Sequence, residues 1–592
     1  MTSKTKKLIN AVDRIIPEMI EGMLGAHPDI LRGAGTTGRA IVAVNGPRAG
    51  KVGIVVGGGS GHEPAFAGYV GRGLADASAI GNVFASPSPA FILDAARQVD
   101  NGAGIVFLYG NYNGDVMNFD MAVDELSRGG TPVRSIAVTD DVASAPKDRI
   151  GERRGIAGDF FVFKVAGAAS DRMMGIDEVY RLARHANAMT RTMGVALSAC
   201  SLPQTGKLNF EIGDDEMEIG MGLHGEPGVR RAHIESADEV ATDLVETILA
   251  DLTVAAGDEV AVLVNGLGAT TYIELYLLHR KARLLLEERG IRIHHSWVGE
   301  YATSLEMAGA SITLMKLDAE LKPLLDHPCH SVALRVGETL AQAGGRHPAH
   351  GSSAVVRADA ASDTSAASDL PLKTSGDITP AIFRRMMENV GLAIIAKRDW
   401  LSELDGVIGD GDHGVTMEIG WTAVAKALAA APEGETIEAT CKRMAKTFLD
   451  AVGASSGPLY ATAFLRAGTA VSDRLNLDAN AVAAWIEAAA GGIRERGRTE
   501  PGDKTMVDAW VPAAERAREA VANGASSLAT MQAAAAGAEA GMNATATIAA
   551  RRGRAAKLGD RSIGHIDPGA ASTFVTLKAM TEALDAALRS RG

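Results

Sequence analysis

Between about residues 50 and 320, short apolar runs rich in β-branched residues recur, and each stops at Gly, Asn or Asp: KVGIVVGGG, GAGIVFLYGN, PVRSIAVTDD, DEVAVLVNGLGAT and ASITLMKLD. Helical patterns lie between them. This rhythm predicts α/β architecture, with sites where strands end and glycine-rich turns begin. The pattern lapses over 341–376, AQAGGRHPAHGSSAVVRADAASDTSAASDLPLKTSG, which is small, polar and without apolar period, the composition of an exposed linker. Beyond it, apolar residues return at three- and four-residue spacing in TPAIFRRMMENVGLAIIAKRDWLSEL, GETIEATCKRMAKTFLDAVG, DANAVAAWIEAAAGGIRERG, MVDAWVPAAERAREAVANG and STFVTLKAMTEALDAAL. The chain therefore reads as an α/β region over 1–340, a linker over 341–376 and an all-α domain over 377–592.

Length agrees with this division, because 592 residues exceed the roughly 250 to 300 at which a single core stops growing. With 46% hydrophobic and 22% charged residues the chain is neither disordered nor fibrous. No apolar run approaches the ~18 residues of a membrane span. The N-terminal MTSKTKKLINAVDRIIPEMIEG interrupts its apolar positions with Asp13, Arg14 and Glu18, as an amphipathic helix does. A soluble, cytoplasmic protein is expected. The net charge of −13 speaks against a general nucleic-acid binder, although amides and a metal can still hold a small anion locally. Cys200, Cys329 and Cys441 fit no metal or redox spacing and are expected as buried free thiols.

The chemistry-bearing stretches fall at the expected strand and helix ends. GGGSGHEP, Gly57 to Pro64, follows an apolar strand and sets backbone amides to cradle a polar ligand. Neither of its frames satisfies the dinucleotide fingerprint, and GPRAGKV at 46–52 is one residue short of a P-loop and ends in Val52. A tight turn accounts for Gly57 to Gly61 but leaves His62 and Glu63 unexplained. GNYNGD, Gly110 to Asp115, also follows a strand, so His62 and Asp115 can form an acid/base pair; a turn or helix cap is the plainer use of Asp115. MGLHGEPG places His224 among glycines with no second histidine or cysteine nearby, and a solvent-facing loop is its plain alternative.

In LDGVIGDGDHG, Asp405, Asp410 and Asp412 repel one another unless a hard cation gathers them. The calcium-loop spacing fails at Gly414, so magnesium completed by phosphates fits better than calcium; an empty acidic turn is the alternative. GASSGPLY sets Ser455 and Ser456 before a helix, where free N–H groups converge, and GRAAKLGDRSIGHIDPGAAST offers Arg554 and Asp567 ahead of the last helix.

GGGSGHEP, GNYNGD, MGLHGEPG, GDGDHG, GDKTMVDAW and RSIGHIDPGA, in this order over nearly the whole chain, resemble the ATP-dependent dihydroxyacetone (glycerone) kinase family. The resemblance implies a ketose-binding α/β region of two subdomains joined to an eight-helix barrel that binds ATP. It also implies a homodimer in which the two kinds of domain meet across the dimer. By matching, His224 holds the substrate ketone as a hemiaminal, Gly59, Ser60 and position 110 contact substrate, and Asp115 with His62 handles the proton of the attacking hydroxyl. Asp405, Asp410 and Asp412 match the Mg2+ positions. His413, Gly414, Val415, Thr416, Ser455, Ser456, Gly497, Met506, Arg554 and Asp567 match the nucleotide positions. Some members take phosphate from a phosphotransferase system with the domains on separate chains, so fusion favours free ATP. One position departs: where the family's loop starts with a substrate-contacting lysine, this chain has Gly110, which brings the four-carbon erythruloses into contention with dihydroxyacetone. A ketose-binding regulator without phosphoryl transfer and a flavin-dinucleotide cyclising lyase are the competing functions.

Overall fold

The computed structural model describes residues 6–590 except Pro227, 338–371 and Asp410. Most of the expected linker therefore lies outside the described residues, and of its end the backbone at Lys373 pairs with Arg474 of the helical part.

The first sheet contains β1 (Leu31–Ala34), β2 (Ala40–Ala43), β3 (Gly53–Ser60), β4 (Ala77–Val83), β5 (Ile105–Gly110) and β6 (Val133–Val138), in the order β1-β2-β4-β3-β5-β6. The strands β4, β3, β5 and β6 run parallel, and β3 and β5 are buried at every residue. Burial on both faces is why these strands are continuous apolar runs. The second sheet contains β7 (Thr190–Ala196), β8 (Glu216–Ile219), β9 (Arg230–His233), β10 (Glu259–Gly266), β11 (Arg292–Gly299) and β12 (Gly309–Leu317), in the order β9-β8-β7-β12-β10-β11, parallel only between β10 and β11.

Between the sheets lies α4 (Asp159–Asp171), buried at every residue from Asp159 to Ser170 and apolar nearly all round, as a helix enclosed by two sheets must be. Strand alternation divides the packing: Ile54 and Val56 of β3 share the central core with Phe160, Phe163, Ala261 and Leu263. Val55 turns to the outer layer of α2 (Pro89–Val99) and α3 (Asn113–Arg128). On the far side, Val260 and Val262 of β10 pack on α6 (Ala237–Asp251) and α7 (Tyr272–Glu288). The central layer also takes the inner faces of α1 (Ile15–Ala26) and α5 (Ile176–Ala188). The expected N-terminal helix thus begins at Ile15, after a short 3-10 turn at Val12–Arg14.

From residue 380 onward the described residues form α-helices and short 3-10 turns: α8 (Pro380–Ala396), α9 (Arg398–Ile408), α10 (His413–Ala429), α11 (Ile437–Ala451), α12 (Ser456–Ala470), α13 (Ala479–Gly497), α14 (Val507–Ala522), α15 (Ser527–Ala544) and α16 (Pro568–Arg589). Helix α8 packs on α10, each later helix packs on the next, and α16 returns to α8, closing a ring of eight with α9 outside it. The ring has its own core, including Trp421, Phe448, Trp485 and Trp510. Cys200, Cys329 and Cys441 are buried and unpaired, and no helix among the described residues is long and apolar enough to cross a membrane.

Candidate active site

Two sheets supply one histidine pair. His62 follows the C-terminal end of β3, and His224 sits in the connection from β8 to β9; their Nε2 atoms lie 3.0 Å apart. His62 Nδ1 lies 2.8 Å from the Thr303 carbonyl, which can only accept, so that nitrogen carries a proton. Burial, and then His224, push the His62 imidazole down to about 3, so it is neutral and its Nε2 accepts. The proton between the rings therefore belongs to His224. On the other side of that ring, His224 Nδ1 donates to Glu226 Oε1 at 3.0 Å, and the His224 amide donates to Glu226 Oε2 at 3.0 Å. Burial raises the Glu226 carboxyl, but His224 and Arg154 outweigh it and hold Glu226 well below the usual carboxylate range. His224 is thus clamped between the Glu226 carboxylate and a neutral imidazole.

Aromatic rings wall this pair. Phe84 stacks on His62 with centroids 5.0 Å apart, and Tyr112 stands edge-on to His224 at 4.7 Å. Phe84 holds a left-handed φ of 57°, a strain that the surrounding packing must offset. Gly59 leaves no room for a side chain, because a Cβ would come 2.8 Å from the Ala85 amide nitrogen. The Ser60 hydroxyl donates to the Gly81 carbonyl at 2.8 Å, so its proton is committed within the fold. At Gly110, a Cβ would meet the Gly155 carbonyl at 3.2 Å and the Tyr112 ring at 3.3 Å, so a side chain there presses on the ring that touches His224.

Asp115 opens α3 and is buried, with Oδ1 unpartnered. Burial pushes its carboxyl up to about 7, against the smaller pull of Ser86 and Arg554. It is not hydrogen-bonded to His62, whose two ring nitrogens are taken by Thr303 and His224.

The helical ring places a second cluster opposite. The first turns of α10, α12, α14 and α16 meet at one end, where His413 and Tyr460 both reach Ser572 and Gly569 lies against Met506, so their free N–H groups and dipoles favour anions there. Ser455 caps α12 and Ser456 opens it; Met506 caps α14; Gly497 ends α13 beside them. His413 Nε2 is 3.0 Å from Ser572 Oγ in the first turns of α16, and Arg554 Nη1 is 3.5 Å from Asp412 Oδ1. Gly414 is demanded by packing: a Cβ would run into the Arg398 carbonyl. Val415 and Thr416 line a narrow cleft of about 30 Å³, with Asn82, Ala85 and Gln204 facing Asp412 and Ala454 across it.

The acidic loop suits a hard cation. Asp405 Oδ2 accepts from the amides of Asp412 and His413 at 2.9 and 3.1 Å, which folds the loop back on itself; Asp410 lies outside the described residues. Asp567 caps α16 through the Ala570 amide at 2.7 Å, yet burial, then Asp405 and Asp508, push its carboxyl up to about 7. A carboxyl raised by neighbouring acids in this way fits a divalent ion, which would relieve the repulsion.

Several residues of these sites carried no assignment from the sequence. Glu226 stood inside MGLHGEPG, and Lys504 and Asp508 inside GDKTMVDAW, so the quoted stretches held the signal. Phe84 and Asn118 gave none. Lys504, at a left-handed φ of 60°, is buried and sends its ammonium to four carbonyls, those of Thr545, Ile548, Ser562 and His565, at 2.7, 3.1, 2.7 and 2.6 Å.

The two clusters meet within one chain, whereas the family resemblance implies a meeting across a dimer. Comparison with known proteins matches residues 21–333 to the Dak1 domain and 407–582 to the DAK2 domain. The chain is 36% identical to the L-erythrulose kinase of Pectobacterium atrosepticum, covering 98% of this chain and 96% of that protein. It is 37% identical to the D-erythrulose kinase of Mycolicibacterium smegmatis, covering 97% and 98%. Among solved structures, the dihydroxyacetone kinase from C. freundii in complex with AMP-PNP and Mg2+ matches with a TM-score of 0.52 and 27% identity, over 98% of this chain and 99% of that one.

Proposed function

This chain belongs to the dihydroxyacetone kinase family, and from that premise we propose that it phosphorylates a terminal hydroxyl of an erythrulose with ATP, holding the ketose as a hemiaminal on His224. Relatives named erythrulose kinases, and a related dihydroxyacetone kinase solved with AMP-PNP and Mg2+, support ATP-dependent phosphorylation of a small ketose. The observation that supports the covalent anchor is the clamped His224 ring.

The anchoring step balances on residues of this chain. His224 Nε2 passes its proton to His62 Nε2, and the freed lone pair attacks the ketone carbon. As the C–N bond forms, the carbonyl π pair moves onto oxygen, which takes the proton from His62. In the adduct the His224 ring, bonded to carbon at Nε2 and still bearing Nδ1–H, carries the positive charge opposite the Glu226 carboxylate. A polyol such as glycerol has no carbonyl and cannot be anchored. Asp115 then accepts the proton of the attacking hydroxyl. Asp405, Asp410 and Asp412 would hold Mg2+, which supplies charge neutralisation on the ATP phosphates. The helix N-termini at Ser455, Ser456, Met506 and Asp567, with His413, Thr416 and Arg554, orient the triphosphate.

The four-carbon preference rests on Gly110 and on the two relatives named erythrulose kinases. Without a side chain at 110, Tyr112 is not pressed toward His224 and a longer ketose has room on that side. We place the protein in the cytoplasm as a homodimer, an oligomeric state that light scattering on the purified chain tests.

The experiment is a panel of glycerol, dihydroxyacetone and both erythrulose enantiomers with MgATP. One erythrulose should match or exceed dihydroxyacetone in kcat/KM, with no product from glycerol. His224→Ala should lose turnover and the sp3 carbon-13 signal of carbonyl-labelled ketose while still binding MgATP. Gly110→Lys should swing the ratio toward dihydroxyacetone. A fully active His224→Ala removes the anchor, and a wild-type enzyme with a wide preference for dihydroxyacetone removes the four-carbon assignment.

A further inference from the structure

The loop that opens α12 touches the α/β region at one tight place. The Gly453 carbonyl accepts from Asn118 Nδ2 at 2.6 Å, and the same nitrogen lies 3.2 Å from Ser86 Oγ. A Cβ on Gly453 would fall inside the Ser86 carbonyl oxygen, so only glycine permits this approach. A Cβ on Gly114 would lie 3.4 Å from the Ser455 amide nitrogen, so the phosphate-facing loop rests on the first turn of α3, next to Asp115. Asn118 is fully buried and sits one turn beyond Asp115, and its Oδ1 has no partner, so its whole hydrogen-bonding use is to donate to the other domain and to Ser86.

From this geometry we infer that Ser86, Asn118 and Gly453 form a docking seam that sets the phosphate-binding loop against Asp115 and thereby fixes the transfer distance, without contacting either substrate. These are positioning residues, and the inference rests on the kinase reading above. Among the described residues, Lys207 and Glu403 also meet across the two bodies at 3.5 Å, but they are two exposed side chains and contribute little. The buried seam, by contrast, is tight enough to set register.

The test uses the full chain. Gly453→Ala should lower kcat roughly 10- to 100-fold, the usual effect of misplacing reacting groups by about an ångström. KM for ketose and for MgATP should stay within about threefold, and the hemiaminal carbon-13 signal should persist. Because Gly453 is two residues from Ser455, a variant on the other side is needed. Asn118→Asp keeps the shape but turns a carboxylate toward two acceptor oxygens, and it should give the same kcat-only loss. The double variant should be no slower than the worse single one, since both break one contact. A Gly453→Ala enzyme with full kcat overturns the seam alone, as do losses that multiply in the double variant or appear only in KM for MgATP. A wild-type chain that phosphorylates no ketose overturns the kinase reading itself.

Discussion

Asp115 shows how a single side chain can be read in both chemistry and stability. Its carboxyl titrates near 3.8 in an exposed setting and near about 7 when buried at the start of α3. Between those values the folded chain holds a proton that the unfolded chain has lost, so folding stability from this group falls as pH rises through that window and is lowest above it. With the proposed role of Asp115 as base, activity runs the other way, because only the ionised form takes a hydroxyl proton. We expect kcat/KM to climb with an apparent pKa of about 7. Asp115→Asn should flatten that limb and lower kcat by roughly 10² to 10⁴. The same variant should melt higher than wild type at pH 8, with the gap shrinking toward pH 5 in thermal scans. A variant that keeps the limb would assign it to another group, and one that melts lower at pH 8 would refute the desolvation account.

At the scale of elements, Lys504 governs the 545–565 segment that carries Arg554 and leads to Asp567. One ammonium serves four carbonyls there, and a buried carbonyl left without its donor costs about 1 to 3 kcal/mol. Lys504→Met should therefore shift the segment and weaken MgATP binding by at least roughly tenfold, since about 1.4 kcal/mol is a factor of ten. Lys504→Arg should not rescue it, because a planar guanidinium cannot address four converging oxygens. Calorimetric titration with MgATP measures this, and the hemiaminal carbon-13 signal on His224 is the internal control. Unchanged nucleotide affinity would reduce Lys504 to packing. The elements themselves were legible in advance: the apolar runs of β3 and β5 announced strands of an α/β region, and three- and four-residue spacing announced the helices of the ring. Residues whose partners lie far along the chain were not. Asn118 reads as an ordinary helical residue until Gly453 is 335 positions away and hydrogen-bonded to it. Gly414 reads as part of a phosphate loop, whereas its nearest constraint is the Arg398 carbonyl. His224 stood out by itself, but the ring it pairs with, His62, lies 162 residues earlier.

As a whole, the described residues form two separately cored bodies that meet where Asn118 reaches Gly453. Between them runs a narrow cleft, with Asn82, Ala85 and Gln204 on one side and Asp412 and Ala454 on the other. Any kinase faces a competitor that is always present in excess, since water can receive the same phosphoryl group as the sugar. On the kinase reading, the register of the two bodies is what keeps solvent from the acceptor oxygen. Hydrolysis should then be a leak that depends on fit, and the quantity that reports it is stoichiometry. Wild type at saturating ketose should release close to one ADP per ketose phosphate formed, as coupled assays of both products can establish. A chain whose bodies are held slightly apart should run the ratio above one even where the total ADP rate is little changed. Fidelity to the sugar would then be a property of the gap, inherited by whatever residues set its width.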